Sequence, residues 1–294
     1  MGFATLLIFL LAILYELFIG AFFLPLPVSD TGTVRYRTLP YMTILLIIIN
    51  SLVFIIFQAP ALYQGAQAYE ISGSTTLLDD YIRQVWTYGY RSTYLREGLS
   101  IGAFVTFTSM FMHADMWHLL GNMIFLWTFG RRLEDACGAW RYLLFYILAG
   151  MVANLGSVVL NPSPVDLPGI GASGAISGVM AAYLLLFPGA QVLCFWGIIS
   201  ILRIFVVYAA KIFGFGGELR TAPVWRWTIR VPAWLLLIYF LGRDLLPSLE
   251  TIQQGQDYGG VNNLAHLTGA LAGLAVFLFV RKDLAMRYLT GRRV

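Results

Sequence analysis

The chain has 294 residues, of which 59% are hydrophobic and only 12% are charged, and its mean hydropathy is +0.75. A water-soluble domain usually carries about 25% charged residues, so this composition excludes a soluble globular enzyme, a disordered chain and a nucleic-acid-binding domain. A polytopic membrane protein is the class that remains. The net charge of +4 then requires no nucleic acid as a partner, because cytoplasmic Lys and Arg give membrane proteins a basic balance.

Eight apolar stretches reach or approach the ~20 residues that a membrane-spanning helix requires. They are continuous rather than alternating, which favours helices over the strands of a membrane barrel. None of them has the pattern of a strand. In chain order they are residues 3–25, 41–57, 115–130, 142–160, 170–187, 192–213, 231–246 and 264–280.

The first stretch, residues 3–25, differs from a signal peptide in three respects. No basic residue precedes it, its apolar run is longer than the usual ~7–15 residues, and no small-residue cleavage site follows it. It is therefore predicted to be a retained transmembrane helix. Glu16 within it is costly in lipid unless it faces protein, so we expect this carboxyl to make a packing contact or to be protonated.

The distribution of Lys and Arg predicts the orientation of the helices. If the clusters at 35–37, 131–141, 203–230 and 281–293 are cytoplasmic, 15 of the 19 basic residues lie inside, as the positive-inside rule demands. This assignment requires that residues 192–213 do not cross the membrane, and we expect an interfacial or re-entrant helix there. Seven spanning helices follow, with the N-terminus outside and the C-terminus inside.

A run of glycine, alanine and serine residues begins at Gly169. Alone it is typical of close packing, because small residues at spacings of four let membrane helices approach each other. The run also lies at a predicted helix start, where backbone N–H groups are exposed and can stabilise an oxyanion. Ser173 lies where a hydroxyl and such donors are both available. The motif differs from the Gly-x-Ser-x-Gly of soluble hydrolases, since Gly174 follows the serine directly.

Two polar side chains share one face of the helix predicted for residues 115–130. His118 and Asn122 are four residues apart, which places them ~6 Å apart along the axis and on the same side. Both side chains donate hydrogen bonds, and polar groups in hydrocarbon mark functional sites or contacts between helices. His113 is five residues before His118, so it points elsewhere on the helix or precedes it.

Histidines in a membrane protein also raise the question of a metal or a cofactor. The sequence has no His-Glu-x-x-His motif and no cluster of carboxylates or cysteines, so no metal is expected. A haem or quinone site is conceivable, but nothing in the sequence favours it, and no cofactor is expected.

His266 lies near the start of the last apolar stretch. It shares its helix face with Gly269, Ala270 and Gly273, and this stripe of small residues lets a neighbouring helix backbone approach the imidazole. A lone histidine beside Gly-x-x-x-Gly is more often a packed, hydrogen-bonded side chain than a catalytic one. The motif alone therefore favours packing.

The predicted topology places four of these side chains at one depth, near the outer starts of their helices: Ser173, His118, Asn122 and His266. His266 is then the candidate general base for the Ser173 hydroxyl, because an imidazole accepts and returns a proton near neutral pH. His118 and Asn122 are candidate oxyanion donors beside the Ser173 backbone N–H. No Asp or Glu stands in the apolar run around His266, so a dyad rather than a triad is predicted.

Three motifs, in this order, resemble those of the rhomboid family of intramembrane serine proteases. The resemblance covers about residues 41–280 and implies six core helices, to which residues 3–25 add one. It also implies hydrolysis of peptide bonds in the transmembrane segments of other proteins, near the outer face of the bilayer. The matching residues are His113-x4-His118-x3-Asn122, Gly171-Ala172-Ser173-Gly174 and Ala265-His266-x2-Gly269-x3-Gly273.

The resemblance implies a role for each matching position. It implies that Ser173 is the nucleophile and that His266 is the general base. The residues implied in transition-state stabilisation are His118, Asn122 and Gly171. The residues implied in support are His113, Gly174 and Gly269.

The sequence departs from the family pattern in four places. It has the additional N-terminal helix and a long cytoplasmic insertion at about 197–230. Its outer loop lacks the Trp-Arg pair of many members, and Tyr90-Arg91 is the nearest local substitute. Ser177 replaces the aromatic residue that packs on the base in some members. The last two departures concern loop anchoring and the orientation of His266, but not the type of reaction.

We therefore expect an all-α polytopic membrane protein with a six-helix rhomboid-like core and one extra N-terminal transmembrane helix. Residues 1–40 would hold that helix and a linker, 41–280 the core with an outer loop at 60–112, and 281–294 a basic cytoplasmic tail. The expected location is a bacterial-type plasma membrane, with the active site toward the outer face. The expected partners are transmembrane protein substrates and the lipid bilayer, with no nucleic acid.

Two other functions are alternatives to a protease. A catalytically silent rhomboid-like protein would bind membrane clients without cutting them, but Ser173 and His266 are both present. A transporter or redox subunit would require ionisable residues deep in several helices. Apart from Glu16 such residues are scarce in this sequence.

Overall fold

The structure is a computed structural model. It describes residues 24–30, 39–97, 99–160, 166–214, 228–243, 245, 247–249, 262–280, 283, 286 and 290. The helix predicted at 3–25 and the tail at 281–294 therefore lie, apart from a few positions, outside the described residues.

Helices make up most of the described chain, as the composition predicts. The first, α1, spans Tyr41–Ser72 and contains two wide, π-type turns at Val53–Gln58 and Pro60–Gln64. The others are α2 (Thr76–Tyr88), α3 (Ser92–Glu97), α4 (Leu99–Thr108), α5 (Met116–Phe125), α6 (Arg131–Cys137), α7 (Ala139–Leu160), α8 (Ser173–Leu186), α9 (Gly197–Phe213), α10 (Ala233–Arg243) and α11 (Asn263–Val280).

Length and composition identify candidate membrane spans among these helices. Within the described residues, two helices are long and apolar enough to cross a bilayer, α1 and α7. Three further apolar helices are shorter, at Ile101–Phe111, Ser173–Leu186 and Asn263–Leu278. The count of seven spanning helices therefore stays a prediction.

The chain divides into two compact units, Met1–Thr33 with Gly189–Leu236 and Val34–Pro188 with Leu237–Val294. The second unit is built around α7, α8 and α11, which pack closely on one another. All of α8 except Ser173, Leu184 and Leu185 is buried. A helix that is covered on all sides needs small or apolar residues around its whole circumference, as the sequence of α8 provides.

A buried carboxylate fixes the start of α1. Glu134, in α6, accepts hydrogen bonds from the backbone N–H of Met42 at 2.9 Å and from that of Thr43 at 2.8 Å. It also accepts the Thr43 hydroxyl at 2.8 Å. The first N–H groups of a helix have no partner within the helix and favour negative charge. Glu134 therefore satisfies these groups and joins two distant parts of the second unit.

The segment 60–112, expected as a polar outer loop, is largely helical in the structure. It contains the end of α1 and then α2, α3 and α4. α2 exposes apolar side chains such as Ile82 and Trp86 together with its charged ones. Because polar and apolar residues are interleaved here, the low mean hydropathy of the segment concealed its helical content.

The first unit contains a sheet that the sequence analysis did not predict. Strands β1 (Leu26–Asp30), β2 (Gln191–Phe195) and β3 (Thr228–Pro232) are antiparallel and lie in the order β1-β2-β3. Val192 pairs with Val231 in this sheet. The expectation that no apolar stretch contains a strand is therefore wrong for 192–213 and for the first two residues of 231–246. Five residues are too few to display alternation, and β2 is followed directly by the apolar helix α9.

Candidate active site

Ser173 is the first residue of α8. The preceding residue, Ala172, provides no side-chain hydrogen bond to the helix start. The first intrahelical bond runs from the N–H of Ile176 to the carbonyl of Ala172, at 3.0 Å. The N–H of Ser173 precedes this bond and has no partner within the helix. The helix start thus presents a hydroxyl and positively polarised N–H groups at one place.

Gly171 permits His118 to lie beside this helix start. Its φ of +129° is one that L side chains rarely adopt. A Cβ at Gly171 would lie 2.9 Å from Nε2 of His118 and 3.6 Å from Oγ of Ser173, so any side chain would displace the imidazole. The N–H of Gly171 donates to the Ser109 carbonyl at 2.8 Å and is not available to an oxyanion. Gly171, which the resemblance implies in transition-state stabilisation, therefore contributes space for His118 rather than a hydrogen-bond donor.

The hydrogen bonds of His118 determine which ring nitrogen carries a proton. Asp115 caps α5, and its carboxylate accepts the N–H of His118 at 2.8 Å. Nδ1 of His118 accepts the backbone N–H of Ala114 at 3.3 Å. Because Nδ1 is an acceptor, the proton of the neutral ring is on Nε2. Nε2 is the nitrogen nearest Gly171, so His118 presents a donor toward the start of α8.

Asn122 supplies a second donor, one turn further along α5. Its side chain is only 8% exposed. Among the residues that the structure describes, no atom accepts a hydrogen bond from its Nδ2. A buried donor without an acceptor costs about 1–3 kcal/mol. Such a group in a native protein calls for an explanation, and an acceptor that arrives with a substrate is one.

His113 lies behind His118 and is fully buried. Its ring meets that of His118 edge to face, with the centroids 5.1 Å apart. Gln58, in the first π-type turn of α1, donates to the His113 carbonyl and accepts the His113 N–H, both at 2.9 Å. His113 is thus held through its backbone, and its ring packs against the His118 ring.

α11, which carries His266, lies in close contact with α8, which begins at Ser173. A Cβ at Gly269 would overlap the carbonyl oxygen of Gly174. A Cβ at Gly174 would lie 3.5 Å from the carbonyl oxygen of Ala265, the residue before His266. Both glycines lack a side chain where two backbones meet. The stripe of small residues thus lets the backbones of α11 and α8 approach each other, as its spacing predicts.

A single cavity of about 850 Å³ joins these side chains. Ser173, His266, His118 and Asn122 all line it, and so does Ser177, one turn after Ser173. Aromatic and apolar side chains form much of its wall, among them Trp86, Trp117, Phe125, Met180 and Phe240. His113, Gly174 and Gly269 are not among the described residues that line the cavity. The cavity is an apolar cleft with convergent polar groups, which is the usual form of a ligand site.

A cluster centred on Asp166 anchors the segment 60–112, and no motif in the sequence indicates it. The carboxylate accepts hydrogen bonds from the Ser92 hydroxyl at 2.7 Å, the Thr93 N–H at 3.2 Å and the Thr93 hydroxyl. Arg91 pairs with it at 3.3 Å, and the Arg91 guanidinium stacks on the Tyr94 ring at 4.0 Å. Burial acts to raise the pKa of Asp166, but the hydrogen bonds from Thr93 and Ser92 outweigh it and lower the pKa.

A second tie that sequence did not reveal runs from α2 to the turn before α5. The Tyr81 hydroxyl donates to the Ala114 carbonyl at 2.7 Å. Burial, followed by the charge of Asp115, raises the pKa of Tyr81 to about 12, so the hydroxyl stays a donor. The same turn presents the Ala114 N–H to His118. Tyr81 thus holds the carbonyl of the residue whose N–H selects the His118 tautomer.

Within the part of the chain that the structure describes, no group of three or more His, Cys, Asp or Glu side chains is arranged to hold a metal ion. The arrangement of a hydroxyl, an imidazole and convergent donors is instead that of acyl-transfer chemistry.

Comparison with known proteins identifies the family. The family model described as "Rhomboid domain" matches residues 102–283. This range contains Ser173, His266, His118 and Asn122, which line the cavity. The chain belongs to the rhomboid family. The match supports a membrane protein, and its bounds include α5, α7, α8 and α11 of this rhomboid.

Several curated relatives are similar to this rhomboid over part of their length. Rhomboid protein 1, mitochondrial, of Saccharomyces cerevisiae is 38% identical over 90 residues, which are 30% of this chain and 26% of the relative. Putative rhomboid protease YdcA of Bacillus subtilis is 39% identical over 77 residues, 26% of this chain and 38% of the relative. Rhomboid-like protein 11, chloroplastic, of Arabidopsis thaliana is 29% identical over 202 residues, 66% of this chain and 58% of the relative.

These similarities reach less than two thirds of the length of each relative. The names of the relatives refer to mitochondria and chloroplasts as well as to a bacterial protein. The comparison therefore establishes the family and its membrane setting, and it assigns this rhomboid to no one compartment.

Proposed function

We propose that this rhomboid is a serine endopeptidase that cleaves transmembrane segments of other membrane proteins with a dyad of Ser173 and His266. The observation that carries the proposal is the shared cavity. Two candidate reacting groups line it together with two candidate donors, His118 and Asn122. One of those donors, the Asn122 amide, is buried and has no acceptor among the described residues.

The first half of the proposed reaction forms an acyl-enzyme. Oγ of Ser173 attacks the carbonyl carbon of the substrate peptide bond while His266 takes the hydroxyl proton. The C–N bond then breaks, and His266 returns this proton to the nitrogen of the departing amine. The products of this half are the free C-terminal fragment and an ester between Ser173 and the N-terminal fragment.

The second half hydrolyses that ester. A water molecule from the cavity attacks the ester carbonyl, and His266 takes one of its protons. The C–Oγ bond breaks and Oγ of Ser173 recovers the proton from His266. The N-terminal fragment leaves with a new carboxylate, and both dyad residues return to their starting state. No metal or other cofactor takes part.

Negative charge develops on the carbonyl oxygen in both halves. Nε2–H of His118, the Asn122 amide and the Ser173 N–H are the proposed donors to it. Donors held in place before reaction avoid the cost of reorganisation, and each typically contributes 10²–10³-fold to the rate. Gly171 takes part by leaving room for His118, and Gly174 and Gly269 by letting α11 approach α8.

The proposed substrates are single-spanning proteins. Their helices would unwind readily near the outer face of the membrane and carry small residues at the cleavage site. A peptide must leave its helix before Ser173 can reach a carbonyl, because helical carbonyls are engaged in hydrogen bonds. The lipid bilayer is the medium that brings the two proteins together, and no nucleic acid is involved.

Reconstitution with a model substrate tests this function. The purified protein is placed in liposomes with a single-spanning protein that carries Gly and Ala near the outer end of its helix. We expect two fragments, with mass spectrometry locating the cut within the apolar segment. Prior treatment with a fluorophosphonate should prevent cleavage. Intact substrate that co-purifies with the untreated protein would instead support a catalytically silent, client-binding rhomboid.

The proposed orientation places the site toward the outer face, in a bacterial-type plasma membrane. It requires that α9 does not span, and the sheet supports this requirement. Phe195, at the end of β2, pairs with Thr228, at the start of β3. The chain therefore leaves the sheet at the end of β2 and re-enters it beside that point, at the start of β3. A single crossing of the bilayer is incompatible with that return.

Reporter fusions test the orientation. A reporter joined after Gly214, just beyond α9, should give a cytoplasmic signal, since positive charges on both sides of it favour the inside. A matched fusion after Leu160, at the end of α7, should give an external signal. An external signal at Gly214 would contradict the proposed topology.

A further inference from the structure

Tyr90 connects the segment 60–112 to the residues that precede Ser173. Its side chain is 5% exposed. Its backbone pairs with that of Gly169, the Tyr90 N–H donating at 3.0 Å and the Gly169 N–H at 2.9 Å. A Cβ at Gly169 would overlap the phenol ring, so the ring lies directly over this glycine. Gly169 is four residues before Ser173, and Tyr90 therefore fixes the approach to the nucleophile.

The Tyr90 hydroxyl reaches two other elements. Ser157, on α7, donates to it at 3.1 Å. The side-chain amide of Asn262 also donates to it through Nδ2. One buried oxygen thus joins the segment before α8, the middle helix α7 and the residue at the start of α11.

Asn262 controls the first turn of the helix that carries His266. Its Oδ1 accepts the N–H of Ala265 at 2.9 Å, as an N-cap residue does. Its backbone carbonyl accepts the N–H of His266 at 3.2 Å. A displacement of Asn262 therefore moves the backbone of the proposed general base directly.

We infer that Tyr90 is a positioning residue, which sets His266 against Ser173 through the bond between its hydroxyl and Asn262. The inference rests on the proposed function, since it assigns both partners their roles in the dyad. The connection runs from Ser173 through Gly169 and Tyr90 to Asn262 and His266. None of the intervening residues, Gly169, Tyr90 and Asn262, is a reacting group. Their effect comes from position, because a misplacement of 1 Å at a reacting centre costs about 10²-fold in rate.

Tyr90→Phe tests the connection, because it removes the hydroxyl and leaves the ring and the backbone pair with Gly169. The measurement is the rate at which a fluorophosphonate labels Ser173, together with kcat and KM for a transmembrane substrate. We expect labelling and kcat to fall about tenfold or more and KM to stay unchanged, since the cavity wall is intact. Tyr94→Phe is the matched control. The Tyr94 hydroxyl donates to the Trp86 carbonyl at 3.2 Å, and its loss should leave the labelling rate unchanged.

Asn262→Ser tests the same bond from the other side. Serine keeps an N-cap oxygen for Ala265 but is too short to reach Tyr90. We expect a similar fall in the labelling rate. The double variant with Tyr90→Phe should be no slower than the slower single variant, because both remove one interaction. Additive losses would overturn the inference.

A purely structural role gives a different result. The Tyr90→Phe variant would then have a lower midpoint of thermal unfolding. At temperatures where it is folded, however, Ser173 would be labelled at the wild-type rate, and this result would overturn the inference. If Tyr90→Phe does not fold, Asn262→Ser decides alone, and a wild-type rate in that variant overturns it. Absence of labelling in the wild-type protein would refute the proposed function itself, which is a separate outcome.

Discussion

Ser173→Ala should abolish the reaction of this rhomboid with a fluorophosphonate. In the proposed reaction Oγ of Ser173 attacks phosphorus, the P–F bond breaks, fluoride leaves and the hydroxyl proton passes to His266. Alanine has no oxygen to form the new bond, so we expect labelling to fall at least about 10³-fold. The measurement is the amount of fluorescent protein after electrophoresis as a function of time.

Two companion variants separate the roles of neighbouring groups. His266→Ala should slow labelling about 10²–10⁴-fold, because the hydroxyl then lacks its general base. Ser177→Ala should retain labelling of Ser173, since Ser177 also lines the cavity but is not the proposed nucleophile. Mass spectrometry of the labelled peptide distinguishes these two serines. Labelling that survives Ser173→Ala and disappears in Ser177→Ala would contradict the assignment of the nucleophile.

Gly269→Ala should damage both stability and activity. The added Cβ would overlap the carbonyl oxygen of Gly174 and lie 3.2 Å from the Ala153 Cβ, so α11 must move away from α8. Overpacking of this kind costs about 1–3 kcal/mol of unfolding free energy. The same movement separates His266 from Ser173, and we expect labelling to slow about 10²-fold. Thermal unfolding in detergent and the labelling rate measure the two effects.

Gly242→Ala is the matched control for this substitution. Gly242 is also helical, but a Cβ there would have no heavy atom within 4 Å. We expect no loss of stability and a small gain, because alanine is the better helix former. If Gly269→Ala matched the wild type in both measurements, the close contact of α11 with α8 would not be needed for the dyad.

Local chemistry made much of the site predictable. His118 and Asn122 share a helix face because their spacing is four, and the stripe at Gly269 and Gly273 follows from the same helical period. Hydropathy located the buried helix α8, whose start at Ser173 follows from the preceding glycines. Each of these features depends on residues within about one or two helical turns, so one sequence is enough to reveal them.

Features that depend on distant partners could not be predicted in this way. The Asp166 carboxylate accepts hydrogen bonds from Ser92 and Thr93, which lie 74 and 73 residues earlier in the chain. No rule of spacing links residues so far apart. The N–H of Gly171 is engaged by Ser109, which only the folded chain brings near. The sequence therefore does not show that the Gly171 N–H is engaged and that this position contributes the absence of a side chain.

The small sheet was missed for a different reason. Its three strands have five residues each and come from three separate parts of the chain. Strand formation here depends on pairing between segments, such as Val192 with Val231, and not on a pattern inside any one of them. Hydropathy averaged over a window of membrane length conceals segments this short.

The length of α8 has a consequence for hydration. It has 14 residues, which correspond to ~21 Å, whereas the hydrocarbon core of a bilayer is ~30 Å thick. In the proposed orientation this difference in length places Ser173 below the outer surface of the hydrocarbon, at the cavity that it lines together with His266. The proposed hydrolytic half of the reaction needs water at that depth. We therefore expect the entry of water into this cavity to limit the rate of that half.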